Sequence, residues 1–280
     1  MPLEVRSRSS HRKSATKKIT FGTGTYADVC FAADGRVIYS SLESGNMDLW
    51  RMNADGTDKR QLTFEPSVEA HQTVSPDGRY IVFSSDRAGS FGIWRMESDG
   101  TNPVRLTTGS GEKFPDCSPD GKWVVYSSVG PDERLYSLWK VPLEGGKPVW
   151  LADQTNRAAV SHDGMHIAYF ARDPGATDRN RIIVIPFSGG QPARTFELPP
   201  DTLQLPEVHW SADSRALLYA SMRRGVSDIW MQALDGTPAR QLTNLKLEGR
   251  LLFDLSPDGK HLVLTRRLWT FDLLLLTASR

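Results

Sequence analysis

Short runs of alternating apolar and polar residues fill the chain, as in Arg79-Tyr80-Ile81-Val82-Phe83-Ser84-Ser85 and Lys122-Trp123-Val124-Val125-Tyr126-Ser127-Ser128. Both runs are rich in β-branched and aromatic residues and are bounded by turn signals, so they predict strands. Each follows the same turn: Ser75-Pro76-Asp77-Gly78 returns intact as Ser118-Pro119-Asp120-Gly121 and Ser256-Pro257-Asp258-Gly259. Weaker copies are Ala33-Asp34-Gly35, Ser161-His162-Asp163-Gly164 and Ser211-Ala212-Asp213-Ser214, which places the aspartates at steps of 43, 43, 43, 50 and 45 residues. An Asp-Gly pair between two strands predicts a tight hairpin of type I′, because that turn needs positive φ.

After each such strand comes a third one centred on a large apolar residue: Trp50, Trp94, Trp139, Ile183, Trp230 and Leu273. A second turn follows at Asp55-Gly56, Asp99-Gly100, Gly145-Gly146, Gly189-Gly190 and Asp235-Gly236, and leads to a fourth strand such as Arg60-Gln61-Leu62-Thr63. Four antiparallel strands repeated at this period predict an all-β propeller of six blades. The tryptophans, recurring at one structural position, belong to the packing between blades.

The sixth repeat has no fourth strand after Leu276, but Lys17-Lys18-Ile19-Thr20-Phe21 reads like Arg60-Gln61-Leu62-Thr63-Phe64 and stands at the same distance from its aspartate. The segment 17–21 is therefore expected to close the ring as the outer strand of the last blade, leaving no long unpaired edge. The chain divides into a basic tail, 1–16, and a single propeller domain, 17–280. Irregularities are a polar hairpin insertion at 173–180 and a proline-containing connection at 196–206, both candidate binding loops.

Composition is that of an ordinary globular protein, 39% hydrophobic and 24% charged, with 34 basic against 33 acidic residues. Six of the basic residues stand within 1–18, so the repeats are mildly acidic, which argues against nucleic acid as a partner. Cys30 and Cys117 lie in different repeats and suggest neither a bridge nor a metal clip, only half-buried free thiols. With no long apolar run and no amino-terminal apolar stretch, membrane insertion and a secretory signal are not expected, and a chain complete as written would be cytoplasmic. A monomer is expected.

The strand before each aspartate turn borders the central channel. Residues three and five before the aspartate are mostly apolar, whereas those four and six before it are often polar, so period-two alternation turns the second set toward the channel. Channel-lining candidates for binding are Asp28, His71, Asp116, Arg157, Glu207, His209, Arg250 and Asp254, with Glu69, Glu112 and Arg250 nearer the mouth. His71 and His209 are three repeats apart and are expected to face one another across the axis; no metal site and no cofactor are expected. His162 and His166 flank a turn and belong to the surface.

No Gly-x-Ser-x-Gly, His-Glu-x-x-His, phosphate-binding Gly-x4-Gly-Lys or kinase motif is present, so no catalytic residue is assigned. The Ser-Pro-Asp-Gly turn with Asp-Leu-Trp or Ile-Trp, Asp-Gly and Gln-Leu-Thr resembles the WD-like repeat of bacterial TolB-type propellers, also seen in relatives of dipeptidyl peptidase IV. Gly189-Gly190-Gln191-Pro192, Asp235-Gly236-Thr237-Pro238 to Thr243, and the ending Asp254 to Leu276 resemble the carboxyl-terminal propellers of bacterial serine/threonine kinases and winged-helix regulators. The resemblance implies a six-bladed scaffold that binds a protein or peptide at the channel mouth, a sensory role in a signalling protein, and a periplasmic location if the chain is exported. The competing reading is a propeller hydrolase or lyase with a channel-mouth site, or the propeller of a peptidase without its catalytic domain.

Overall fold

The computed structural model describes residues 15–20, 26–129, 136–172, 180–199, 207–267 and 271–277. The basic tail up to residue 14, most of the insertion at 173–180 and most of the connection at 196–206 lie outside the described residues.

Among the described residues the chain is all β. Strand β1 (Ala15–Lys18) precedes the first repeat, which forms a sheet of β2 (Tyr26–Phe31), β3 (Val37–Ser41), β4 (Asp48–Met52) and β5 (Arg60–Gln61). The second repeat gives β6 (Glu69–Val74), β7 (Tyr80–Ser85), β8 (Gly92–Glu97) and β9 (Val104–Arg105). The third and fourth repeats contribute β10 (Lys113–Cys117), β11 (Trp123–Val129), β12 (Tyr136–Pro142), β13 (Val149–Val160), β14 (His166–Arg172), β15 (Asn180–Pro186) and β16 (Arg194–Glu197), hydrogen-bonded in that order. In the fifth, β17 (Val208–Trp210), β18 (Ala216–Arg223), β19 (Val226–Ala233) and β20 (Arg240–Gln241) form a sheet to which β21 (Leu247–Glu248) adds at β19. The last sheet is β22 (Arg250–Leu255), β23 (His261–Arg267) and β24 (Phe271–Thr277), completed by β1.

The expectation of six separate blades is corrected by β13. This twelve-residue strand pairs with β12 from Val149 to Thr155 and with β14 from Thr155 to Val160, so that Thr155 lies opposite Tyr136 on one side and Ala171 on the other. One uninterrupted backbone thus serves as the outer strand of the third repeat and the inner strand of the fourth. The described strands therefore form five sheets, one of them seven-stranded, from six repeats. Between the fourth strand of one repeat and the first of the next, the other repeats carry turn residues such as Pro66 and Gly111; Asp153-Gln154-Thr155-Asn156 contains neither Gly nor Pro to break the extended chain.

Ring closure is made by β1 antiparallel to β24, Ala15 opposite Thr277 and Lys18 opposite Leu274. The strand begins two residues earlier than the repeat comparison indicates, and Ile19 follows it, 2% exposed, in one cluster with Val29, Val37 and Val263. Its carbonyl approaches Gly56 closely enough that a Cβ there would lie 2.5 Å away, as the Leu62 carbonyl approaches Gly100. Ile19 therefore sits against the first sheet as Leu62 sits against the second. Six apolar clusters of described residues join successive repeats around the ring, and Trp50, Trp94, Trp139 and Trp230 pack partly buried against them.

The repeated aspartate is a turn residue. Asp77 Oδ1 accepts from the Ser75 hydroxyl at 2.6 Å and the Arg79 amide at 3.0 Å, while the Tyr80 amide donates to Ser75 Oγ. The same bonds recur at Asp120, Asp163, Asp213 and Asp258, and they hold these carboxyls below their usual range. The Gly78 amide bonds the Ser75 carbonyl, and only Gly78, with φ of 71°, is left-handed. This is a type I turn, with Pro76 at its favoured place, followed by a left-handed glycine; the type I′ expectation, which needs positive φ at Asp77 too, is corrected.

Candidate functional site

The first strands of the repeats converge on a central cavity of about 140 Å³. Its lining includes Asp28, His71, Asp116, Arg157, Glu207, His209 and Asp254, seven of the eight side chains expected there. Their aspartate offsets of four and six residues follow from alternation along a strand whose intervening residues, Val29, Phe31, Val208, Trp210 and Phe253, are buried.

A second device re-aims the residues six before the aspartate. Pairing shifts register between Tyr26 and Val29, Ala70 and Thr73, Lys113 and Asp116, and Asn156 and Ala159, which places a β-bulge in four successive inner strands. His71, Phe114 and Arg157 occupy this place with φ of 55°, 58° and 42°. A left-handed backbone costs a non-glycine residue about 1–2 kcal/mol, and three such residues border one cavity. Strand β22 pairs in unbroken register from Arg250 to Leu255. Without a bulge it sends only Asp254 to the cavity, and Arg250, opposite Arg267, is not among the lining residues. Glu69 and Glu112 are likewise not among the described lining residues. Glu69 is fully buried, accepting from Ser67, Ser85 and Arg87, and Glu112 accepts from Thr107.

Arg157 crosses the cavity. It donates to Glu207 through Nη1 and lies 3.4 Å from Asp28 Oδ1, with its guanidinium centre 4.4 Å from the Phe114 ring centroid. Burial disfavours the ionised form of Asp28, but the positive charge that His71 and Arg157 place beside it outweighs burial and holds the carboxyl below its ordinary value. His71 stands edge-on to Phe114 at 4.2 Å, and burial lowers its pKa to about 4. His209 lies 3.7 Å from both Glu207 and Asp254, and burial lowers its pKa also. His71 Nδ1 and His209 Nε2 are buried without a hydrogen-bond partner.

Asp116 and Asp254 are engaged in bracing the ring. Asp116 Oδ2 accepts from the Val160 amide at 2.7 Å, and Asp254 Oδ2 from the Phe31 amide at 2.8 Å, each a bond to the next sheet or repeat. Their other oxygens accept from the Cys117 and Leu255 amides. Burial raises both carboxyls. Phe114, Thr73, Cys30 and Ala159 complete the lining at the predicted offsets, but their side chains carry no charge to single them out in the sequence. Cys30 and Cys117 are free and buried rather than half-buried, with burial pushing both thiols well up. His162 is exposed and His166 partly so.

Comparison with known proteins places the fold. The family described as the TolB beta propeller domain matches residues 10–158. An uncharacterized protein of Agrobacterium fabrum is 34% identical over 162 residues, which cover 56% of this chain and 52% of that protein; the chain thus spans about half the length of that relative. TolB from Acinetobacter baumannii superposes with a TM-score of 0.67 at 16% identity, over 94% of this chain and 56% of that one. A gluconolactonase from Xanthomonas campestris superposes with a TM-score of 0.69 at 16% identity, over 94% and 89%. At such identities the likeness is one of fold.

Proposed function

The chain belongs to the TolB β-propeller domain family, and from that premise we propose that it is a non-catalytic binding module whose central cavity receives part of a protein or peptide partner. The observation that carries this reading is the engagement of the cavity's charged groups. Asp116 and Asp254 hold backbone amides, and Asp28 and Glu207 hold Arg157. The candidate nucleophiles lack activation: the Cys30 thiol is pushed up by burial, and among the described residues Thr73 Oγ1 donates only to Asp116, at a long 3.5 Å. Because the chain spans about half of its curated relative, the same role serves a contact or sensory module of a longer protein. The test is calorimetric titration of the chain with short synthetic peptides of varied charge, beside a turnover screen of lactones and esters. Saturable binding that is weakened by Thr73→Phe, without turnover, is the expected result.

One observation favours a second reading, a channel-site hydrolase. His209 lies between the Glu207 and Asp254 carboxylates, a setting for general acid–base work, and the fold is shared with a gluconolactonase. Lactone or ester turnover abolished by His209→Ala would replace the binding reading with this one.

A further inference from the structure

Resting on that binding reading, we propose that the cavity selects a cationic group, the guanidinium or ammonium end of a ligand side chain, and that Arg157 is the chain's own occupant of part of this seat. Among the described lining residues Arg157 is the sole arginine or lysine, against Asp28, Asp116, Glu207 and Asp254. A ligand carboxylate would look to Arg157 for its counter-charge, yet that guanidinium is already shared between two acids from different repeats. Asp28 and Glu207 by themselves already set two carboxylates against one guanidinium. Among the lining groups an anion meets more acid than base, whereas a cation meets an excess of carboxylates whose attraction is strengthened by the low local dielectric, even with Lys113 and Arg250 acting on His71 and Arg157 from outside the lining.

Hydrogen-bonding capacity points the same way. His71 Nε2 is 4.0 Å from Asp28 Oδ2 and His209 Nε2 is 3.7 Å from Glu207 Oε2, both beyond hydrogen-bond reach. The cavity therefore sets carboxylate oxygens beside imidazole rings that do not bond them, and each neutral ring offers one acceptor nitrogen besides its single N–H. Guanidinium and ammonium groups carry donors and no acceptor, and so match the carboxylate oxygens and the acceptor nitrogen of each ring. The Phe114 ring, against which Arg157 lies, supplies the face on which a planar cation stacks. The left-handed backbone at His71, Phe114 and Arg157 holds these groups in place before any ligand arrives.

An arginine-bearing ligand must then compete with Arg157. Titration of the full chain with an acetylated tripeptide centred on arginine, and with its citrulline counterpart of the same shape and no charge, should show at least tenfold tighter binding of the arginine peptide. Arg157→Ala should bind the arginine peptide at least tenfold more tightly than the unaltered chain, and millimolar methylguanidinium should raise its melting temperature where methylurea does not. Glu207→Gln, which keeps Arg157 but removes one charge, should weaken the arginine peptide at least tenfold. Equal binding of the two peptides, or preference for a glutamate peptide, overturns cation selection while leaving the binding reading intact. Failure of every peptide to bind overturns the binding reading, and the methylguanidinium comparison then decides the chemistry of the seat. Arg157→Ala unresponsive to methylguanidinium overturns it outright.

Discussion

Asp254 shows how a side chain facing a cavity can serve the ring around it. Its Oδ2 accepts the Phe31 amide of the first repeat while Oδ1 accepts the Leu255 amide. Replacing it with Leu leaves buried donors unmatched, and we expect a loss of about 1–3 kcal/mol in chemical denaturation; Asp116→Leu should act alike through Val160. His71 makes a separate prediction. Its pKa is about 4 in the folded chain against the ordinary 6.5, so between these values the unfolded chain binds more protons. Its contribution to stability is complete above about pH 6.5 and is lost as pH falls toward 4. Melting temperatures between pH 7 and pH 4 should fall less in His71→Asn than in the unaltered chain. Asp28, Arg157 and Lys113 set the field on this ring, and the variant leaves them in place. The direction of these side chains was legible from two-residue alternation. The bulge was not, because His71, Phe114 and Arg157 take a backbone conformation that sequence signals only through glycine or asparagine.

At the scale of elements, closure by β1 was readable because Lys17-Lys18-Ile19-Thr20-Phe21 copies a fourth strand at the right distance from its turn. Deleting residues 1–20 should unpair β24, remove Ile19 from its cluster and lower the melting temperature by several degrees. A finer test compares two glycines. Gly35 and Gly56 have φ of 80° and 91°, so alanine is strained at both, but only at Gly56 does the new Cβ meet the Ile19 carbonyl. Gly56→Ala should cost about 1 kcal/mol more than Gly35→Ala in chemical denaturation. The period of the repeats gave no sign that the third and fourth would fuse. That depends on four residues, Asp153 to Asn156, remaining extended, and no turn residue there would have had to be absent for the period itself to survive.

For the whole molecule, the ring gathers into one cavity residues as far apart in sequence as Asp28 and Asp254, so the candidate site exists only while the ring is closed. The ring contains two unlike joints. At β1–β24 four residues from one end of the chain complete a sheet made at the other, whereas β13 carries its backbone across the third and fourth repeats without interruption. Native-state hydrogen exchange should separate them: the amides of β1 and β24 should exchange through local fraying at low free energy, and the paired amides of β13 only with the global transition. Uniform protection of both joints would contradict this. A ring so built comes apart first where its two chain ends meet, and the strand that carries Arg157 is among the last segments to lose its order.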